Sequence, residues 1–201
     1  MSEPVGIMGG TFDPIHFGHL AAAEEARIRL RLARVIFVPN GQPPHKRGYV
    51  PAPAARRYDM VVLATASNPA FEASRVEIDR SGPSYAVDTV ETIVRQLGPD
   101  TRLYFIAGVD AVRQLVTWQS PERLVETCEI VAVSRPGYSP RDLDRALPSH
   151  LRERVHTLRI PAFGISSRRL RQRAAAGESL RYLTPQPVAR YIAAHQLYSN
   201  G

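Results

Sequence analysis

Gly9-Gly10-Thr11-Phe12-Asp13-Pro14-Ile15-His16-Phe17-Gly18-His19 is the stretch on which the reading of this chain turns. A short apolar run, residues 5–8, precedes it, and an amphipathic segment, residues 20–30, follows it. The sequence therefore predicts a strand, a glycine turn and a helix start. Such a junction suits a phosphate, because free backbone N–H groups and the positive end of the helix dipole point at an anion. His16 and His19 are three apart, which brings them together on the first helical turn. Gly18 between them lets a phosphate approach the backbone without meeting a side chain.

Outward from this junction, strands and helices alternate. Residues 35–38 form a β-branched and aromatic run ended by Pro39, and residues 103–107 and 130–133 are similar runs. Residues 155–160 make a last strand before Pro161, and residues 71–78 are expected to be extended. Helical periodicity covers residues 54–67 and 84–97, where Val87, Val90, Ile93, Val94 and Leu97 form one stripe stopped by Gly98-Pro99. Residues 167–176 and 187–195 close the chain as helices. The pattern predicts an α/β fold with a doubly wound parallel sheet, a single domain over 1–201 with a helical subregion from about 165. The one long loop is the proline-rich piece 42–53.

In such sheets ligands bind beyond the carboxyl ends of the strands. The segments falling there are residues 9–19, 40–46, 108–110, 134–137 and 164–167, and each carries polar or cationic side chains. The formal net charge of +7 favours anionic partners, but arginine is spread along the chain, so nucleotides are favoured over nucleic acid. Cys128 is the single cysteine, in an apolar run, and excludes both an internal disulfide and a zinc cluster. With no 18-residue apolar span and no signal pattern, the expectation is a cytoplasmic protein without a membrane partner. Monomer or homo-oligomer is not decided by these features.

The string from Gly9 to Leu20 resembles the HxGH signature of the nucleotidyltransferase superfamily, in its adenylyltransferase branch. Further motifs resemble bacterial nicotinate-nucleotide adenylyltransferases. Gln42-Pro43-Pro44-His45-Lys46-Arg47 is similar to a loop that closes over nucleotide phosphates, and Lys46 is the only lysine in the chain. Ile165-Ser166-Ser167-Arg168-Arg169-Leu170-Arg171 is similar to the family's second phosphate motif, with Arg168 in place of the usual threonine. Pro83-Ser84-Tyr85-Ala86 resembles another family stretch, with Ala86 replacing threonine. Asp110, after Gly108-Val109, is expected near a ribose, Trp118 is expected to stack on the nicotinate ring, and Arg135 is expected to line the same pocket.

The resemblance implies a Rossmann-like nucleotidyltransferase fold and transfer of the adenylyl group of ATP to nicotinate mononucleotide, giving deamido-NAD and pyrophosphate. It implies catalytic roles for His16, His19 and Arg171. It places ATP against Gly9, Gly10, Thr11, Phe12, Gly18, Lys46, Ile165, Ser166 and Ser167 besides those three, and nicotinate mononucleotide against Thr11, Lys46, Ser84, Tyr85, Ala86, Asp110, Trp118 and Arg135. Mg²⁺ is expected as cofactor, held mainly by phosphate oxygens and water. The alternatives are a phosphopantetheine adenylyltransferase and a non-catalytic nucleotide-binding module on the same scaffold.

Overall fold

The computed structural model describes residues 3–42, 50–134, 141–160 and 164–199. Its centre is a six-stranded sheet of β1 Val5–Gly10, β2 Arg34–Pro39, β3 Phe71–Ala73, β4 Leu103–Gly108, β5 Glu129–Ser134 and β6 Val155–Arg159. The strand order is β3-β2-β1-β4-β5-β6, and every pairing is parallel. The doubly wound sheet read from the sequence is thus present. Chain direction switches between β1 and β4, since β1 leads to β2 on one side and β4 lies on the other.

The inner strands β1, β2, β4 and β5 are mostly apolar because both faces of a parallel sheet are covered, while the edge strands β3 and β6 carry exposed Glu72, His156 and Thr157. Ile7, Ile36, Val38, Leu103 and Phe105 pack into a core on one face. Their neighbours Met8, Val35, Phe37, Tyr104 and Ile106 pack into a second core on the other. The first core is closed by α3 Ala86–Leu97 and α5 Pro121–Thr127, and the stripe of Val87, Val90 and Ile93 is buried in it. The second is closed by α1 Phe17–Arg29, α2 Ala54–Thr65, α8 Ser167–Ala175 and α9 Gln186–Ala194. Ala22, Ala23 and Ala26 let α1 lie close on the sheet. Short helices α4 Val109–Val112, α6 Arg141–Ala146 and α7 Ser149–Arg152, with a 3₁₀ turn at Leu115–Thr117, complete the connections. Among the described residues no helix is long and apolar enough to cross a membrane.

Three expectations are corrected. Gly9 and Gly10 do not form the turn; they finish β1, and the turn lies at residues 11–15, with a cis Asp13-Pro14 bond and Phe12 at φ 49°. The glycines are there for close approach: a Cβ on Gly9 would lie 2.8 Å from Cζ of Phe105. Residues 71–78 are extended only to Ala73, after which Ile78 and Asp79 both donate to the Arg75 carbonyl and turn the chain. The third helix begins at Ala86 instead of Ser84, because Ser84 is bonded elsewhere: its Oγ accepts from the N–H groups of Gly41 and Gln42 at 2.9 and 3.1 Å.

Candidate active site

The pairing registers open the site. β1 stays paired with β2 as far as Gly10↔Pro39, and β4 with β5 as far as Gly108↔Val133. Between β1 and β4, however, the register ends at Met8↔Ile106. Gly9 and Gly10 therefore separate from Ala107 and Gly108, and a crevice opens at the switch point.

Two cavities share the floor of that crevice, with Gly9, Gly10 and Ala107 lining both. The narrower, about 210 Å³, is bounded by His16, Gly18 and His19 and by Gly108, Val133 and Ile160. The wider, about 310 Å³, runs towards Thr11, Ser84, Tyr85, Ala86 and Trp118. Of the residues expected at ATP, His16, Gly18 and His19 line the narrower space and Gly9 and Gly10 both, while Ile165, Ser166, Ser167 and Arg171 line neither; of those expected at the acceptor, Thr11, Ser84, Tyr85, Ala86 and Trp118 line the wider.

In the narrower cavity, His16 caps α1 in an extended conformation, and its backbone N–H donates to Nδ1 of His19 at 3.2 Å. The two imidazoles stack at 3.8 Å, and the Phe12 ring sits edge-on to His19 at 5.1 Å. Because Nδ1 of His19 accepts, the proton of its neutral ring resides on Nε2. The first turn of α1 carries no acidic residue, so nothing there opposes an anion. Phe12 itself is buried in the core, its ring against Phe37, so only its backbone is placed for a ligand.

The loop between β1 and α1 is held from the far end of the chain. Arg171 Nη1 donates to the Asp13 carbonyl at 2.7 Å, Ser167 Oγ to the Pro14 carbonyl at 2.9 Å, and Thr184 Oγ1 to the Ile15 carbonyl at 2.7 Å. Three consecutive carbonyls with no ladder partners are so satisfied. The start of α8 is thereby pressed against the histidine loop. Ser166 caps α8, its Oγ accepting from the Arg169 N–H at 3.3 Å, and Ile165 packs on the second core. The first turn of α8 is also free of acidic residues.

Asp13 is buried, at 1% exposure. Its Oδ1 accepts from the Tyr198 hydroxyl at 2.6 Å and from the Ala52 N–H at 3.3 Å. Burial, then the Asp13 charge, pushes the Tyr198 phenol well above its ordinary range.

In the wider cavity, the Trp118 indole stands at 78° to the Phe105 ring, centroids 5.8 Å apart, and forms one wall with it. Tyr85 and Ala86 line the same cavity at the start of α3, where the first N–H groups of a helix have no partner within the helix. Asp110 lines neither space; it lies on α4 between Gly108 of one and Ala111 of the other. Lys46 and Arg135 lie outside the described residues. The sequence reading had Asn40 only as the start of the 40–46 segment and missed Glu77; the two line this cavity and are joined by a 2.9 Å hydrogen bond, and Gln114 and Gln119, also missed, line it near Trp118. It also missed Thr184 and Asp13 as supports of the loop. A single polar residue in a loop carries no periodic signal.

The cytidylyltransferase-like family matches residues 7–173. A protein of Moorella thermoacetica named "Probable nicotinate-nucleotide adenylyltransferase" is 49% identical over 96% of this chain and 91% of its own length. A protein of the same name from Corynebacterium glutamicum is 48% identical over 96% of this chain and 88% of its own. Among solved structures, the nicotinic acid mononucleotide adenylyltransferase of Plasmodium falciparum, complexed with NaAD, superposes with a TM-score of 0.79 at 18% identity, covering 98% of each chain; that likeness speaks for the fold. The chain belongs to the nicotinate-nucleotide adenylyltransferase family, within the cytidylyltransferase-like group.

Proposed function

We propose that this protein transfers the adenylyl group of ATP to nicotinate mononucleotide, yielding deamido-NAD and pyrophosphate, a step of NAD biosynthesis. The observation that carries the reading is the pair of cavities meeting over Gly9, Gly10 and Ala107 at the switch point. One nucleotide in each space brings a phosphate of one against a phosphate of the other.

In the reaction an oxygen of the acceptor's 5′-phosphate forms a bond to the α-phosphorus of ATP. The bond from that phosphorus to the oxygen bridging to the β-phosphate breaks, and pyrophosphate leaves with the electron pair. The attacking oxygen is already anionic, so no general base is required. What the protein must supply is alignment and neutralisation of charge.

His19, donating from Nε2, and His16 beside it are placed to hold the transferring phosphoryl group. The backbone N–H groups at the start of α1 add to this. The N–H groups at the start of α8, with Ser166 and Arg171, are assigned to the β- and γ-phosphates. Ser167 contributes there through its backbone N–H, since its hydroxyl proton is given to Pro14. Lys46 is assigned to the same phosphates.

Trp118 is assigned to the pyridine ring, and the N–H groups at Tyr85 and Ala86 to the carboxylate. Thr11 and Ser84 are assigned to the mononucleotide's side of the cavity, Asp110 to a ribose and Arg135 to the acceptor. Among the described residues no three His, Cys, Asp or Glu side chains gather as a metal cage. Mg²⁺ would be held mainly by phosphate oxygens and water, and would supply neutralisation of triphosphate charge.

Pyrophosphate release with ATP and each acceptor in turn tests the reading. Turnover with nicotinate mononucleotide far above that with phosphopantetheine is expected. Preference for phosphopantetheine, or ATP binding without release, would overturn it.

A further inference from the structure

Arg57, in α2, is 1% exposed and heads the fully buried side chains by size. None of the proposed chemistry uses it. Its guanidinium is spent on backbone carbonyls: Nε donates to Ala52 at 2.9 Å, Nη1 to Thr11 at 2.9 Å, and Nη2 to Asn40 at 2.6 Å and Gly41 at 3.3 Å. These oxygens belong to three separate pieces of chain. Thr11 follows β1, Asn40 and Gly41 follow β2, and Ala52 precedes α2. Asp13 grips the same Ala52 through its N–H.

Two of the tethered residues then form a wall of the wider cavity. Thr11 Oγ1 donates to Asn40 Oδ1 at 3.5 Å, and Asn40 Nδ2 donates to Glu77 Oε2 at 2.9 Å. Glu77 Oε1 in turn accepts from Thr89 Oγ1 at 2.6 Å. The amide of Asn40 is thereby fixed in orientation, with its oxygen towards Thr11. Gly41 fits beneath because it has no side chain; a Cβ there would collide with the Glu77 carbonyl.

A buried cation is a poor choice for packing alone, since an apolar side chain of similar size avoids its desolvation. The guanidinium offers something an apolar group cannot: a flat fork whose donors reach several carbonyls at once. Burial pulls its pKa down, and the nearby carboxylates of Asp13 and Glu77 act against that pull.

We propose that Arg57 is a positioning residue for the acceptor nucleotide, holding the backbones of Thr11 and Asn40 in register so that the wall of the wider cavity exists before the acceptor arrives. The proposal rests on reading the wider cavity as the acceptor's. It separates the two substrates: ATP is gripped from α1 and α8, which Arg57 does not touch.

The test uses the full chain as Arg57→Met and Arg57→Lys, with pyrophosphate release measured while ATP and nicotinate mononucleotide are varied in turn, and thermal melts alongside. The KM for the mononucleotide is expected to rise about tenfold or more in both variants, the scale of a misplaced binding wall, while the KM for ATP stays within about threefold. Arg57→Lys keeps the charge and part of the bonding, so it provides the reading where Arg57→Met fails to fold. An unchanged acceptor KM overturns the proposal. So does a rate loss that merely follows the folded fraction, or loss of folding in both variants. Trp118→Ala separates this from the cavity assignment: if it too leaves the acceptor KM unchanged, the assignment has failed; if it alone raises that KM, only the role of Arg57 has.

Discussion

Arg171 and Asp13, 158 positions apart, are joined by a 2.7 Å hydrogen bond from the guanidinium Nη1 to the backbone carbonyl. The same guanidinium stands 3.9 Å from the Asp13 carboxylate, a long ion pair. The two helix starts that carry the proposed phosphate contacts are therefore fastened together at the atoms that have to act together. A guanidinium is well suited to a phosphate, since its planar fork presents several N–H donors to anionic oxygens.

Replacing Arg171 by lysine keeps a positive charge but loses the fork. The expected result is a fall in kcat/KM for ATP of about a hundredfold, the scale for one well-placed charge stabiliser, with the acceptor KM little altered. Steady-state rates with ATP varied against saturating mononucleotide check this. A variant with normal kcat/KM for ATP would remove Arg171 from the triphosphate.

His19→Ala removes both the ring that faces the crevice and the acceptor for the His16 N–H. Turnover is expected to fall at least ~100-fold, while ATP binding measured by calorimetry weakens far less, because the group acts on charge that develops during transfer. Near-normal kcat in this variant would take His19 out of the chemistry.

How much of this could be read without coordinates follows from physical range. Ile7, Val35 and Phe105 lie in strands covered on both faces, so their apolar runs stood out, and with them the parallel sheet. His16, His19, Ser167 and Arg171 lie at helix starts whose local pattern is written in adjacent residues. Arg57 was illegible: the pair Arg56-Arg57 looks the same on paper, yet only Arg57 is buried among the loop carbonyls, while Arg56 Nη1 bonds the Tyr191 hydroxyl. Thr184 and Tyr198 were illegible for the same reason, since each acts on a loop more than a hundred and fifty residues earlier. The short helices α4, α5 and α7 hold too few turns to show a period.

Thr184→Val tests the support of the loop. The swap nearly keeps the side-chain shape but leaves the Ile15 carbonyl without its donor at 2.7 Å. A loss of about 1–3 kcal/mol of stability is expected for the unsatisfied buried acceptor. Activity at a temperature where the variant is folded should also fall, because residues 13–15 set the position of His16. Full activity together with a lowered melting temperature would confine Thr184 to stability.

Cys128 gives a pH signature that is independent of the site. Burial pushes its thiol from an ordinary 9.0 up to about 12. In the unfolded chain the thiol gives up its proton near the ordinary value, while the folded chain keeps it. Above that pH the unfolded state binds fewer protons, so stability falls as pH rises. The contribution is complete below about 9 and is lost as pH climbs to about 12. Cys128→Ala removes this source of the slope. Between about pH 8 and about pH 10.5, denaturant unfolding of the unsubstituted protein is expected to lose up to about 2 kcal/mol more than that of the variant. Parallel slopes for the two proteins would mean that the thiol titrates alike in both states, and rapid alkylation of the folded protein near neutral pH would mean the same.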